Sequence, residues 1–165
     1  MTVILRNLQN IVRVDVTQLR QQVGVLRRIL DVEKYDIAVL CVDNDNISDL
    51  NSQYRGEKGP TDVLAFPFHE VSRPGQIPAV ADPEEMLLGD IVLGVPYIYN
   101  NCGRDGDEFE QILPVMVNHG LCHVMGYDHG TREQWKQMYD KEMEVLTKFN
   151  KITGYNCRPL LKIGH

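Results

Sequence analysis

His119-Gly120-Leu121-Cys122-His123-Val124-Met125-Gly126-Tyr127-Asp128-His129 holds three of the chain's five histidines. In an α-helix, residues four apart lie one turn above the other on one face, so His119 and His123 can aim their imidazoles at a common point. Gly126 then ends the helix. Glycine enters the left-handed conformation without a steric penalty, so the chain can reverse there and bring His129 back from a loop. Three imidazoles with an open fourth position describe a catalytic zinc site, because structural zinc is normally closed by four protein ligands rich in thiolate. An i, i+4 histidine pair alone is more often a packing feature. The third histidine, placed beyond the glycine, turns the reading toward a metal, one Zn²⁺ per chain, held on a central helix and the loop after it.

That helix should begin near Asp107, whose carboxylate can cap it, and run to about Met125. Pro114 either kinks it or marks its first turn, with His119 and His123 downstream in both cases. Beyond the triad, Thr131 with Gln134 reads as a capping box for a final helix from Arg132 to about Asn150. Its inner face would carry Trp135, Met138, Tyr139, Met143 and Leu146, and the last fifteen residues read as a loose tail. Before the triad, Thr2 to Arg6 reads as a first strand and Val16 to Ile29 as a helix capped by Asp15 or Thr17. Asp36 to Val42 suits a strand buried on both faces. Asn44 to Asn46 form a polar turn before a short helix from about Ile47 to Tyr54, which delivers Arg55 to the loop Gly56 to Pro60. Asp62 to Phe68 and Asp90 to Val95 are further strands, separated by a proline-rich, mobile surface loop from Glu70 to Glu85. Pro96 opens a short helix to about Asn101, with a turn over Gly103 to Asp107 after it. Strands alternating with helices give an α/β layered domain.

At 165 residues with 43% hydrophobic content, the chain has the size of one globular domain with an adequate core. Its apolar runs fall far short of the roughly 20 residues a membrane-spanning helix needs, so no membrane partner is expected. Cys41, Cys102, Cys122 and Cys157 lack CxxC spacing and read as reduced thiols of an intracellular protein. The net charge of −6 is unevenly spread, with +4 on residues 1–30, −12 on 31–110 and +2 on 111–165. A basic groove beside the metal can still hold RNA phosphates, since affinity depends on the charges that face the backbone.

The histidine spacing is that of the metzincin zinc proteases, with one break. Those enzymes carry a glutamate as general base where this chain has Gly120, which has no side chain to take a proton. With glycine there and Gly126-Tyr127-Asp128-His129 at the end, the stretch resembles the YbeY family of metal-dependent endoribonucleases involved in ribosomal RNA maturation. Asn51-Ser52-Gln53-Tyr54-Arg55 followed by Pro60-Thr61-Asp62-Val63-Leu64-Ala65-Phe66-Pro67 is similar to that family's Asn-x-x-Tyr-Arg and Thr-Asp-Val-Leu-Ser-Phe-Pro segments. Gly89-Asp90-Ile91 resembles its Gly-Asp-Ile strand. Ala65 stands where serine is usual, which makes any role for that hydroxyl optional. Cys122 stands where leucine is common; it points roughly 100° around the helix from His123 and reads as a small packing residue. The resemblance implies a single domain, residues 1–165, with a small mixed sheet flanked by helices. It also implies single-stranded regions of ribosomal RNA as substrate, and the small ribosomal subunit or its assembly factors as partner.

A zinc ion held by His119, His123 and His129 can polarise a phosphate oxygen or lower the pKa of its bound water to roughly 7. Phosphoryl transfer gathers negative charge in the transition state, which a rigid guanidinium stabilises. The resemblance and this chemistry together point to Arg55 as the second catalytic group. Asp128 can orient a ligand imidazole, shuttle a proton or cap the following turn. Tyr54 and Tyr127 can stack on bases of a single strand, although packing roles fit each better. The rival readings are a ribosome-assembly factor whose metal is mainly structural, and a metzincin-like metallopeptidase. The arginine-rich, acid-poor first thirty residues suit a mitochondrial import signal, and Gly130-Thr131-Arg132-Glu133-Gln134-Trp135 looks like the animal members of the family, so a mitochondrial location is expected, with the cytoplasm as the alternative.

Overall fold

Three parallel strands and one antiparallel edge strand form the sheet, in the order β1-β2-β4-β3. In this computed structural model, residues 3–102 and 106–159 are described, without the side chains of residues 106 and 107. Thr2, the cap assigned to Asp107, most of the turn before it and the end of the tail lie outside the described residues. The elements are β1 (Val3–Asn7), α1 (Val16–Ile29), β2 (Asp36–Val42), α2 (Asn44–Arg55), β3 (Val63–Pro67), β4 (Leu87–Gly94), α3 (Val95–Asn101), α4 (Gly106–Val124) and α5 (Arg132–Thr153). The α/β class and the mixed sheet agree with expectation.

Alternation along the strands divides the core between the two faces of the sheet. Ile37, Val39, Ile91, Leu93 and Val63 join the main core with α1, α4 and α5. On the other face Val42, Leu64 and Val92 pack with Ile47 from α2. The central strand β2 can therefore be apolar from Ile37 to Val42, since each of its faces meets a helix layer.

Helix α1 begins and ends where its periodicity places it, and Asp15, not Thr17, caps it by accepting from the Gln18 N–H at 3.0 Å. The Thr131 and Gln134 capping box forms as read. Helix α2 starts three residues earlier than expected. Asp43 accepts from the Asn46 N–H at 2.9 Å, so the polar run Asn44–Asn46 is its first turn, and Arg55 is its last residue rather than a loop residue. Helix α4 runs through Pro114, with helical residues on both sides, so the proline does not mark its start.

Two further expectations are corrected. Met143 is 36% exposed, whereas Trp135 and Tyr139 pack against Met138 as expected, and the fully buried residues of α5 are Met138, Glu142, Val145, Leu146 and Phe149. The end of the chain is not wholly loose: α5 continues to Thr153, the Cys157 N–H donates to Asn150 Oδ1 at 2.8 Å, and the Tyr155 hydroxyl accepts from Gln18 at 3.0 Å. Between β3 and β4 the chain is irregular apart from one short 3-10 turn at Pro83–Glu85. It is nevertheless tied to the end of α4, where the Gly75 N–H donates to the Met125 carbonyl at 2.9 Å, and Ile77 packs against the core.

Candidate metal centre

Helix α4 lies across β3 and β4 with its last two turns at the open edge of the sheet. Its close approach there depends on Gly120. A Cβ at that position would sit 2.9 Å from Ile91 Cγ2, so the residue faces the sheet, and a glutamate would have no room to reach the histidines.

The helix stops as its glycine dictates. The Tyr127 N–H donates to the Cys122 carbonyl and the Gly126 N–H to the His123 carbonyl, each at 3.0 Å, and Gly126 sits at φ +100°. This is a Schellman ending, completed by the packing of Tyr127 on Cys122. A Cβ at Gly126 would meet Val71 Cγ1 at 2.6 Å, so both the conformation and the space require glycine. The reversal returns His129 to the pair. Ring centroids stand 4.7 Å apart for His119 and His123, 5.6 Å for His119 and His129, and 5.1 Å for His123 and His129. One ligand nitrogen from each lies within 4.8 Å of the other two.

Two of the rings are oriented from behind. His119 Nδ1 lies 3.1 Å from Glu142 Oε1 on α5, and His123 Nδ1 lies 3.0 Å from the Tyr127 carbonyl. With Nδ1 occupied, each imidazole presents Nε2 to the shared point, which is the arrangement that metal-binding histidines adopt. Burial, reinforced by His119 and His129 and opposed by Asp128, pushes the His123 imidazole down to about 4. It is therefore neutral at pH 7, as a ligand must be. The donor set fits a divalent ion: three imidazoles, one buried carboxylate behind them and an opening to solvent.

That opening is a cavity of about 810 Å³, which contains the triad together with Arg55, Asp128 and the whole of β3. Arg55 reaches it from the end of α2, 47% exposed, with Nη2 3.8 Å from Glu57 Oε1. Asp128 Oδ1 accepts from the His129 N–H at 2.8 Å, so it braces the turn that carries the third histidine. Tyr127 is half-buried, whereas Tyr54 is 61% exposed and is not the packing residue it was expected to be. Cys122 is fully buried, and all four thiols are free.

Glu142 is the residue that sequence reading missed. It is 1% exposed, and its neighbours Lys141, Met143 and Glu144 suggest a solvated face. The signal that was available is phase: Met138, Glu142, Val145 and Phe149 recur at helical spacing, so Glu142 is an acid set in an apolar stripe.

The family model for endoribonuclease YbeY matches residues 5–150. An endoribonuclease YbeY of Homo sapiens is 42% identical over 98% of this chain and 96% of its own. The chain belongs to the YbeY family. An endoribonuclease YbeY of Thermoanaerobacter pseudethanolicus is 34% identical, over 91% of this chain and 98% of its own. A solution structure of a Thermotoga maritima protein superimposes with a TM-score of 0.51 at 22% identity, covering 98% of this chain and 100% of that one, which supports the fold. As a YbeY protein the chain is an endoribonuclease, a hydrolase with RNA as its substrate. No helix among the described residues is long and apolar enough to cross a membrane.

Proposed function

We propose that this YbeY protein is a zinc-dependent, single-strand-specific endoribonuclease that acts in ribosomal RNA maturation and small ribosomal subunit assembly. The observation that carries the reading is the convergence of His119, His123 and His129, whose ligand nitrogens all lie within 4.8 Å of one another inside the cavity that also holds Arg55. Three imidazoles with an open position favour zinc in a catalytic setting. Bound there, one zinc per chain would supply Lewis acidity toward a phosphate oxygen.

The chain's own residues then divide the work. His119, His123 and His129 would hold the ion, the first two in orientations set by Glu142 and by the Tyr127 carbonyl. Arg55 binds a non-bridging phosphate oxygen through its planar donor fork, which strengthens as negative charge gathers. Its contact with Glu57 is long and exposed, so a phosphate can displace it. Asp128 keeps His129 in place through its main-chain hydrogen bond and stands at the cavity wall, where it can accept or return a proton. Gly120 offers no carboxylate for peptide hydrolysis, which argues against the peptidase reading. The positive charge of residues 1–30 and the resemblance to animal members support a mitochondrial location.

The deciding experiment measures metal by plasma mass spectrometry and cleavage of a single-stranded RNA on the same samples of wild type and His123→Ala. About one zinc per wild-type chain, with metal and cleavage both lost in the variant, is the expected result. A folded variant that loses zinc and still cuts RNA would sink the proposal. Stoichiometric zinc without cleavage would favour the assembly-factor reading.

A further inference from the structure

The cavity wraps the open edge of β3, which among the described residues pairs only with β4. Leu64 and Phe66 alternate onto one face of that strand, and Phe68 follows just beyond its end, its N–H donating to the Leu88 carbonyl at 3.1 Å. Their burial declines in that order, from Leu64 at 3% exposed through the half-buried Phe66 to Phe68 at 51%. Tyr54, in the last turn of α2, stands edge-on to Phe66 with ring centroids 5.2 Å apart and planes at 71°. It remains 61% exposed and lines the same cavity as the histidines.

Packing does not account for this placement, because most of the Tyr54 surface is left in water. Phe66 braces it from the core side: it packs with Leu64, Val92 and Ile47, so the tyrosine ring rests against a fixed neighbour. The adjacent residue is Arg55, the one arginine or lysine in the cavity wall among the described residues. A braced, solvent-facing aromatic ring next to a guanidinium matches the two halves of a nucleotide, a flat base and a charged phosphate.

We infer that Tyr54, braced by Phe66, is a nucleobase-stacking platform that positions single-stranded RNA in the cleft. The inference rests on the nuclease reading above and deepens it. Only an unstacked base can lie on the ring, so a paired strand is rejected by the energy of unstacking it, and the preference for single strands arises at Tyr54 rather than at the ion. Tyr54 is thus a positioning and specificity residue. Because every base has a π-face, it selects strandedness and not sequence.

The test uses full-length zinc-loaded protein and a short single-stranded RNA carrying one 2-aminopurine, moved stepwise along the strand. Binding is read by fluorescence, and KM and kcat are read by cleavage. Tyr54→Phe should stay within about threefold of wild type. Tyr54→Ala should weaken binding by about 5- to 150-fold, the range for losing one base–aromatic stack, with most of the change in KM and with zinc content unchanged. An abasic position that costs wild type the same factor, and costs Tyr54→Ala nothing further, would locate the stacked base. Equal binding and cleavage by wild type and Tyr54→Ala would overturn the inference while leaving the nuclease reading intact. Loss of zinc in Tyr54→Ala would overturn it by assigning the residue a structural role. Failure of the wild type to bind the RNA would overturn both readings.

Discussion

The carboxylate behind His119 makes a prediction whose sign depends on whether metal is bound. Glu142 is 1% exposed, with Oε1 3.1 Å from His119 Nδ1 and Oε2 without a hydrogen-bond partner. With a divalent ion in place, its charge is compensated through the imidazole, and the contact both aims the ring and raises its basicity. Without the ion, a buried carboxylate with one orphan oxygen is a desolvation cost. Glu142→Gln keeps the volume and an acceptor oxygen but removes the charge, and a neutral hydrogen bond is roughly half as strong as a charge-assisted one. Zinc affinity should therefore fall by about tenfold, or ~1.4 kcal/mol, while the metal-free protein is as stable as wild type or more so. Glu142→Ala removes the acceptor and leaves a void, so affinity should fall toward 100-fold, or ~2.7 kcal/mol. Its metal-free form should lose about 1–3 kcal/mol as well, because the His119 N–H is left unpaired. Competition against a chromophoric chelator gives the affinities, and urea unfolding with and without zinc gives the stabilities. Equal zinc affinity in wild type and both variants would refute the positioning role.

Arg55→Glu should reduce RNA cleavage at least 100-fold with zinc content unchanged, since the residue approaches phosphate and not the ion; about 3 kcal/mol is the scale for removing one charge-stabilising donor. Stability of the metal-free protein should fall as pH drops from about 6.5 toward 4. Over that window the unfolded chain binds a proton that the buried His123 refuses. Urea midpoints at pH 7, 5.5 and 4.5 read this, and His123→Gln should flatten the slope. Gly126→Ala forces a side chain onto φ +100° and against Val71, and should cost about 1–3 kcal/mol in thermal denaturation. Gly120→Glu should cost a similar amount, about 1–3 kcal/mol from overpacking on Ile91, and should confer no peptidase activity on an unstructured protein substrate.

What could be read from sequence was what local chemistry decides. Helix α1, the Asp15 cap, the Thr131 capping box and the glycine reversal before His129 each depend on residues within a few positions of one another. The start of α2 was missed because Asn44 and Asn46 favour turns intrinsically, while Asp43 at the cap overrides that preference. Tail residues Tyr155 and Cys157 were read as loose because their partners, Gln18 and Asn150, are fixed only once α1 and α5 pack. Glu142 stands 23 residues from His119 and meets it through the packing of α5 on α4. Asp128, adjacent to a ligand in sequence, was open to an orienting, a proton-shuttling or a turn-capping role, and its Oδ1 accepts from the His129 N–H.

All three imidazoles belong to one continuous run of the chain, from His119 to His129. Metal sites assembled from distant segments exist only after folding, but this one would survive in part when the rest of the molecule is undone, because a flexible eleven-residue stretch can still gather its own histidines around an ion. What unfolding removes is the support from outside the run, chiefly Glu142. Some zinc affinity should thus persist in the denatured chain, so that in urea unfolding added zinc should raise the folding stability by less than its affinity for the native protein implies.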